Sequence, residues 1–161
     1  MGTMLNGVPN LPPLPVLTVP EISSRILVVD DHEDSRSMLC TWLEMNGFST
    51  LEADNCESAE CIAHKESPDL ILMDLGLPTF NGIEIMRRMR EQGIVVGDTP
   101  IVFVTAWADT ESVRAAFDAG CDDLVIKPID LDRIVVTVRQ WLARAENSEG
   151  GGKVKNPSSC L

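Results

Sequence analysis

The chain has 161 residues, of which 44% are hydrophobic and 24% are charged, a composition typical of a globular protein. Its formal net charge is −12, which makes direct binding to nucleic acid unfavourable because the phosphates would repel it. No apolar run approaches the about 18 residues that indicate a transmembrane helix, and the N-terminus lacks the basic and apolar segments of a signal peptide, so we expect no membrane partner.

The two ends of the chain differ in composition from its middle. Residues 1–24 hold five of the ten prolines and predict an extended, polyproline-like flexible arm. Residues 147–161 include three consecutive glycines and predict a flexible tail. The segment between them, residues 25–146, contains 11 Lys and Arg against 23 Asp and Glu, and so carries the whole net charge. We expect this segment to form one domain.

Five short apolar runs alternate with helical patterns along this domain. Because the runs are rich in β-branched residues and bounded by turn signals, they predict buried strands, in chain order over residues 26–29, 48–52, 70–74, 101–105 and 123–126. A helix is predicted after each strand, with Asp54, Asp109 and Asp130 as N-terminal caps and Gly47 and Gly120 as stops. These five units predict a doubly wound α/β domain with five helices and a parallel five-stranded sheet in the flavodoxin-like order 2-1-3-4-5.

Helical spacing and the cysteines predict further parts of the core. The predicted inward faces include Met38 on the first helix and Phe117 on the fourth. The five cysteines are odd in number and form no CxxC pair, so neither a disulfide framework nor a zinc site is indicated. We expect Cys40 and Cys61 to pack as small apolar groups in a reducing cytoplasm.

Polar residues stand at the ends of four of the predicted strands. They are Asp30 and Asp31 after the first, Asp74 at the end of the third, Thr105 at the end of the fourth, and Lys127 after the fifth. Ligands of open parallel sheets bind outside the carboxyl ends of the strands, so these five side chains should meet at one edge. Carboxylates about 4 Å apart repel by roughly 4 kcal/mol per pair at an effective dielectric near 20. Three carboxylates, a hydroxyl and an ammonium therefore predict a site for a divalent cation and a phosphoryl group, and Mg²⁺ suits these oxygen ligands.

Four segments resemble the receiver domain of two-component response regulators, over about Arg25–Glu146. They are RILVVDDHEDSR, PDLILMDLGLPTFNG, PIVFVTA and GCDDLVIKPID. The resemblance implies that Asp74 is the phosphoacceptor, which takes a phosphoryl group from a histidine kinase or a histidine phosphotransfer protein. It implies that Asp31, Asp74 and the Gly76 carbonyl bind Mg²⁺ directly, with Asp30 acting mainly through water.

The same resemblance implies roles for the other strand-end residues. Lys127 and Thr105 would bind the phosphoryl oxygens with the backbone N–H of Ala106, and the Lys127–Pro128 peptide bond would be cis. The sequence departs from the family pattern at the switch. Leu124 stands where receivers usually carry Tyr or Phe, and leucine cannot reproduce the size or edge polarity of the ring. Gly76 and Trp107 flank the expected path of the hydrolytic water.

The resemblance implies a signalling phosphoacceptor of the stand-alone type rather than a multiple-turnover enzyme. Only 15 residues are expected after the last helix, so the output would pass through an unknown effector protein. The first helix, with Arg36, Met38 and Leu39, and the loop after Lys127 form the implied kinase-docking surface.

Three other functions compete with this interpretation. A receiver-like adapter that works without phosphorylation is a competing interpretation. It is compatible with Leu124, which replaces the usual aromatic residue of the switch. An aspartate-nucleophile phosphatase of the haloacid dehalogenase type requires Asp-x-Asp, whereas Asp74-Leu75-Gly76 has glycine at the second position. A dinucleotide-binding domain is disfavoured because GxGxxG is missing after the first strand.

Overall fold

The computed structural model describes residues 23–77, 81–95, 98–106 and 109–148. The predicted arm up to residue 22, Pro78, Trp107 and the tail beyond Ser148 lie outside the described residues. The strands are β1 Arg25–Val29, β2 Ser49–Ala53, β3 Leu70–Asp74, β4 Ile101–Thr105 and β5 Asp123–Ile126. The helices are α1 Glu33–Met45, α2 Cys56–Glu66, α3 Gly82–Glu91, α4 Thr110–Asp118 and α5 Leu131–Ser148.

The five strands form one parallel sheet in the order β2-β1-β3-β4-β5. This confirms the predicted doubly wound fold and its flavodoxin-like strand order. The register pairs Val29 of β1 with Met73 of β3, and Asp74 with Val104 of β4. Because the strands are parallel and nearly in step, the residues at their carboxyl ends share one edge of the sheet.

The sheet is buried on both faces, as a parallel sheet covered by helices must be. Alternate residues of the strands point to opposite sides. Leu27, Met73 and Phe103 belong to a core with α2 and α3, whereas Val28, Leu72 and Val102 belong to a second core with α1 and α5. No helix in the described parts of the chain is long and apolar enough to cross a membrane.

Two details of the helices differ from the sequence prediction. The cap of α2 is Asn55, not Asp54: the Asn55 side chain accepts from the Ser58 backbone N–H at 2.9 Å, and the Ser58 hydroxyl accepts from the Asn55 N–H at 3.3 Å. The Asp54 carboxylate instead accepts from the Asn55 side-chain amide at 2.6 Å. Helix α5 runs to Ser148, so two residues assigned to the predicted tail are helical.

Three residues that the sequence placed in the core are exposed or half exposed. Cys61 is exposed, although Cys40 is buried as predicted. The side chains of Met38 and Phe117 are about half exposed, at 47% and 46%. On short helices the apolar stripe narrows to the positions that directly face the sheet, which are Leu39, Cys40 and Leu43 on α1 and Ala116 on α4.

Candidate functional site

A lysine and two aspartates from three strand ends form an ion-pair cluster at the carboxyl edge of the sheet. Lys127 Nζ lies 2.8 Å from Asp74 Oδ2 and 3.3 Å from Asp30 Oδ2. Asp30 and Asp74 are both buried. Burial alone would lower the pKa of Lys127, but its contacts with Asp74 and Asp30 outweigh burial and raise that pKa. The lysine is therefore a fixed positive charge beside Asp74.

Asp30 is fixed by more hydrogen bonds than its neighbours. Its Oδ1 accepts from the His32 backbone N–H at 2.8 Å, and its Oδ2 accepts from the Ser35 hydroxyl at 2.8 Å and from Lys127. Burial raises the pKa of Asp30, but these donors together hold it below its usual value. The Asp30 carboxylate is therefore held in its ionised form and fixed in position at this edge.

Asp31 supplies an oxygen that has no hydrogen-bond donor. Asp31 Oδ1 is buried and accepts no hydrogen bond from the described residues. The ring nitrogen His32 Nδ1 is 3.1 Å from this oxygen, which is an ion pair when the ring is protonated, although no hydrogen bond joins the two atoms. One ligand atom each of Asp30, Asp31, His32 and Asp74 lies within 4.8 Å of the others. A buried carboxylate oxygen without a hydrogen bond in such a cluster fits a cation site, because a cation would satisfy it.

The loop after β3 directs the Asp74 carboxylate. Gly76 donates its backbone N–H to Asp74 Oδ1 at 2.8 Å. The backbone also turns tightly here: a Cβ at Gly82 would lie 2.9 Å from the Asp74 carbonyl oxygen and 3.1 Å from Phe103 Cε1. Gly82 is therefore required for the start of α3 to pack directly behind Asp74.

An open depression of about 730 Å³ covers this edge of the sheet. Its lining includes Asp74, Gly76, Thr105, Ala106 and Lys127 together with residues at the start of α1. Thr105 is buried and Ala106 is exposed. The cavity thus joins a carboxylate, an ammonium and a hydroxyl in a space open to solvent, an arrangement suited to an incoming phosphoryl group.

All the strand-end residues predicted from the sequence lie at this one edge. Leu124 lies apart from them, partly buried against the core formed with α2 and α3, and the register pairs it with Phe103. The Lys127–Pro128 bond is cis, as the family resemblance implied. Two residues of the site, Ser35 and His32, are not predicted by the strand-end pattern. Their proximity in sequence to Asp30 was the signal available.

Comparison with known proteins identifies the family. The model for the response regulator receiver domain matches residues 26–139, well over half of the chain. The chain belongs to the response regulator receiver family. The receiver is 35% identical over 123 residues to the phosphate regulon transcriptional regulatory protein PhoB of Pseudomonas aeruginosa, covering 76% of this chain and 53% of that protein. It is 37% identical over 119 residues to the regulatory protein AtoC of Escherichia coli, covering 74% of this chain and 25% of that protein.

Solved structures agree on the fold of the receiver. A two-component response regulator from Clostridium difficile superposes with a TM-score of 0.70 at 30% identity, covering 76% of this chain and 98% of that chain. A CheY-like receiver domain protein from Methanospirillum hungatei gives a TM-score of 0.73 at 23% identity, covering 78% and 98%, and it supports the fold alone. The chain spans only about half the length of PhoB and a quarter of AtoC.

Proposed function

We propose that this receiver is a phosphoacceptor of a two-component system or phosphorelay, with Asp74 as the acceptor and Mg²⁺ as the cofactor. The donor is a histidine kinase or a histidine phosphotransfer protein, and the compartment is the cytoplasm, where ATP supplies such kinases. The observation that supports this most directly is the contact between Lys127 Nζ and Asp74 Oδ2 at 2.8 Å, inside an open cavity beside two further carboxylates.

The reaction uses Asp74 as a nucleophile. A carboxylate oxygen of Asp74 attacks the phosphorus of phosphohistidine, the P–N bond breaks as the P–O bond forms, and the imidazole leaves and takes up a proton. The transition state is loose, so positioning and charge neutralisation supply most of the catalysis. Lys127 is already adjacent to the attacking oxygen and can move its ammonium to a phosphoryl oxygen. Loss of the phosphoryl group to water then releases inorganic phosphate and restores Asp74.

Mg²⁺ fits the carboxylates of this edge. Asp31, Asp74 and the Gly76 carbonyl are proposed to hold the ion directly, and Asp30 through water. When bound, Mg²⁺ supplies positive charge that offsets the negative charge of the carboxylates and the phosphoryl group. The orphan oxygen Asp31 Oδ1 supports this assignment. Asp30 is held in place by Ser35 and by the His32 backbone, so it can orient a water without moving.

The switch residues are proposed to be Thr105 and Leu124. The Thr105 hydroxyl and the Ala106 N–H would bind the phosphoryl oxygens from the cavity side. Thr105 pairs in register with Ile126 of β5, two residues beyond Leu124. A shift of Thr105 would therefore move β5. The described residues form a single α/β domain, and we place the output in a partner protein that reads this shift.

Phosphorylation of the pure protein tests the proposal. Wild type is incubated with Mg²⁺ and a small-molecule phosphodonor such as acetyl phosphate, and its mass is measured intact. We expect one added phosphoryl group, lost in Asp74→Ala. Asp54→Ala is the matched control, because Asp54 follows β2 at the same sheet edge but is exposed and does not line the cavity. Wild type that stays unmodified, or Asp74→Ala that is still labelled, would contradict the proposal.

An adapter that acts without phosphorylation is the second candidate, favoured by Leu124 at the switch position. For such an adapter, Asp74→Ala would leave binding to the partner unchanged. A pull-down of the partner by wild type, with and without phosphodonor, separates the two functions, because only a phosphoacceptor changes its affinity when the donor is added.

A further inference from the structure

We propose that His32 is a nitrogen ligand of the cation site, and that it shifts the preference of this site from Mg²⁺ towards transition-metal cations such as Ni²⁺, Co²⁺ and Mn²⁺. The inference rests on the metal site of the proposed function and adds to it a ligand and an ion preference. His32 follows the two strand-end aspartates directly, and its ring nitrogen faces both of them.

The distances around His32 Nδ1 match those between ligands of one ion. The nitrogen is 3.1 Å from Asp31 Oδ1 and 3.5 Å from Asp30 Oδ1. Two ligands that each lie about 2.1 Å from a metal are about 3.0 Å apart at a right angle and about 3.4 Å apart at the tetrahedral angle. The nitrogen and the Asp31 oxygen are therefore already spaced as neighbouring ligands of one ion, and ligand atoms of Asp30 and Asp74 belong to the same group within 4.8 Å.

The ring of His32 has no role in capping or in the core. His32 is the N-cap residue of α1, a position whose side chain usually accepts a backbone N–H, but its ring makes no capping hydrogen bond. Its side chain is 72% exposed, so it is not a core group either. Its contacts are the ion pairs with Asp30 and Asp31, and the oxygen that it approaches most closely, Asp31 Oδ1, is the one that lacks a hydrogen-bond donor. A cation bound between the Asp31 oxygen and a neutral imidazole would replace this ion pair.

A nitrogen ligand changes the chemistry of the site. Mg²⁺ is a hard cation that takes oxygen ligands and gains little from imidazole. Affinity for nitrogen-containing sites rises from Mn²⁺ through Co²⁺ to Ni²⁺, and imidazole suits the later ions of this series. A site of three carboxylates and one imidazole therefore binds Ni²⁺ more tightly, relative to Mg²⁺, than the same carboxylates alone.

The test compares the affinities of the full-length, untagged protein for Ni²⁺ and Mg²⁺, by calorimetric titration at one fixed pH without phosphodonor. The variants are His32→Asn, the control His64→Asn, and Asp31→Asn. His64 is the other histidine of the chain and is exposed on α2. Melting curves recorded with each ion provide a second measurement and show that each variant folds.

We expect the ratio of Ni²⁺ to Mg²⁺ affinity to fall at least about tenfold in His32→Asn, since even the loss of an outer partner of a metal ligand costs about 10–100-fold. His64→Asn should keep the wild-type ratio, and Asp31→Asn should weaken both ions. An unchanged ratio in His32→Asn, or an equal loss in His64→Asn, would overturn the inference and leave His32 as a counter-charge of the aspartates.

The two proposals fail separately. Absence of phosphorylation in wild type with Mg²⁺ refutes the phosphoacceptor function but not the ligand role of His32. Conversely, a phosphorylated wild type whose ion preference is the same in His32→Asn refutes the ligand role alone.

Discussion

Replacing Asp74 by asparagine should leave the stability of the metal-free protein nearly unchanged while removing the proposed phosphoacceptor. The Asp74 carboxylate has two like charges near it, Asp30 and Asp31, and one opposite charge, Lys127. At an effective dielectric near 20, each repulsion at about 4 Å is worth roughly 4 kcal/mol, and the attraction of Lys127 at 2.8 Å is worth roughly 6 kcal/mol. Two repulsions and one attraction leave a net repulsion of about 2 kcal/mol on the Asp74 charge.

Asparagine removes this repulsion but keeps only part of the hydrogen bonding. Asp74 accepts from the Gly76 N–H on one oxygen and from Lys127 on the other. The asparagine amide group must face one of these donors, and losing a hydrogen bond to a charged group costs about 1.5–3 kcal/mol. The relief of about 2 kcal/mol and this loss nearly cancel, so the free energy of unfolding of Asp74→Asn should stay within about 1 kcal/mol of the wild-type value.

Urea unfolding in the presence of a chelator measures this change. Trp42 and Trp141 are partly buried against the core formed with α1 and α5, so their fluorescence reports unfolding. Glu146→Gln is the control: it removes one exposed negative charge far along α5, and should change stability by less than about 0.5 kcal/mol. A loss of about 3–5 kcal/mol in Asp74→Asn, which is the usual cost of removing one partner of a buried ion pair when no repulsion is relieved, would refute the electrostatic reasoning.

The same unfolding experiment, repeated with magnesium in place of the chelator, tests the cation site. Binding to the folded state alone stabilises wild type by mass action, by about 2.7 kcal/mol when the ion is a hundredfold above its dissociation constant. Asp74→Asn, which lacks one proposed ligand, should gain less, so wild type should become the more stable of the two proteins when magnesium is added. A wild-type melting temperature that does not respond to millimolar magnesium would count against the cluster as a cation site.

Other predictions concern the scaffold. Asn55→Ala should lower the free energy of unfolding by about 1 kcal/mol, because it removes the α2 cap, and Asp54→Ala by less than half of that; urea titrations of both decide which residue is the cap. Gly82→Ala should cost about 1–3 kcal/mol, since the added Cβ meets backbone atoms that cannot move aside; a neutral result would show that the start of α3 can shift. Burial raises the pKa of the Cys40 thiol from 9.0 to about 11, so its contribution to stability is complete below pH 9 and is lost as the pH rises towards 11. Each pH unit in that window costs about 1.4 kcal/mol, and Cys40→Ala should reduce the alkaline slope by that amount in pH-dependent unfolding.

The sheet and the position of its site were predictable because both follow from local patterns. A short β-branched run, a polar residue at its end and a helical repeat after it specify a βα unit, and parallel strands bring the ends of such units together. Asp74, Thr105 and Lys127 meet at one edge for this reason. The contact between the Lys127 ammonium and Asp74 depends on side-chain conformation, which no spacing rule supplies.

The details that the sequence did not predict depend on small differences between neighbouring residues or side-chain conformations. Asp54 and Asn55 are both good caps, and the helix begins after Asn55 because Ser58 completes a reciprocal pair of hydrogen bonds with it. Cys61 has the composition of a core residue, but it falls on the outer side of α2. The approach of His32 Nδ1 to Asp31 is likewise a matter of one side-chain rotation. Tertiary packing decides such cases.

Leu124, the proposed switch residue, would limit how strongly this receiver couples its site to a partner through apolar packing alone. Fully burying a leucine side chain stabilises a state by about 1.5–3 kcal/mol, but Leu124 is already partly buried against the core. At most about half of that energy, roughly 1 kcal/mol, remains to favour a state in which Leu124 moves inward. A difference of this size changes a two-state ratio by about fivefold. An aromatic ring would bury more surface and add an edge contact. A larger change in this chain therefore requires contacts other than those of Leu124. The candidates are Thr105 and Lys127, which lie at the ends of adjacent strands and which the phosphoryl group itself would displace.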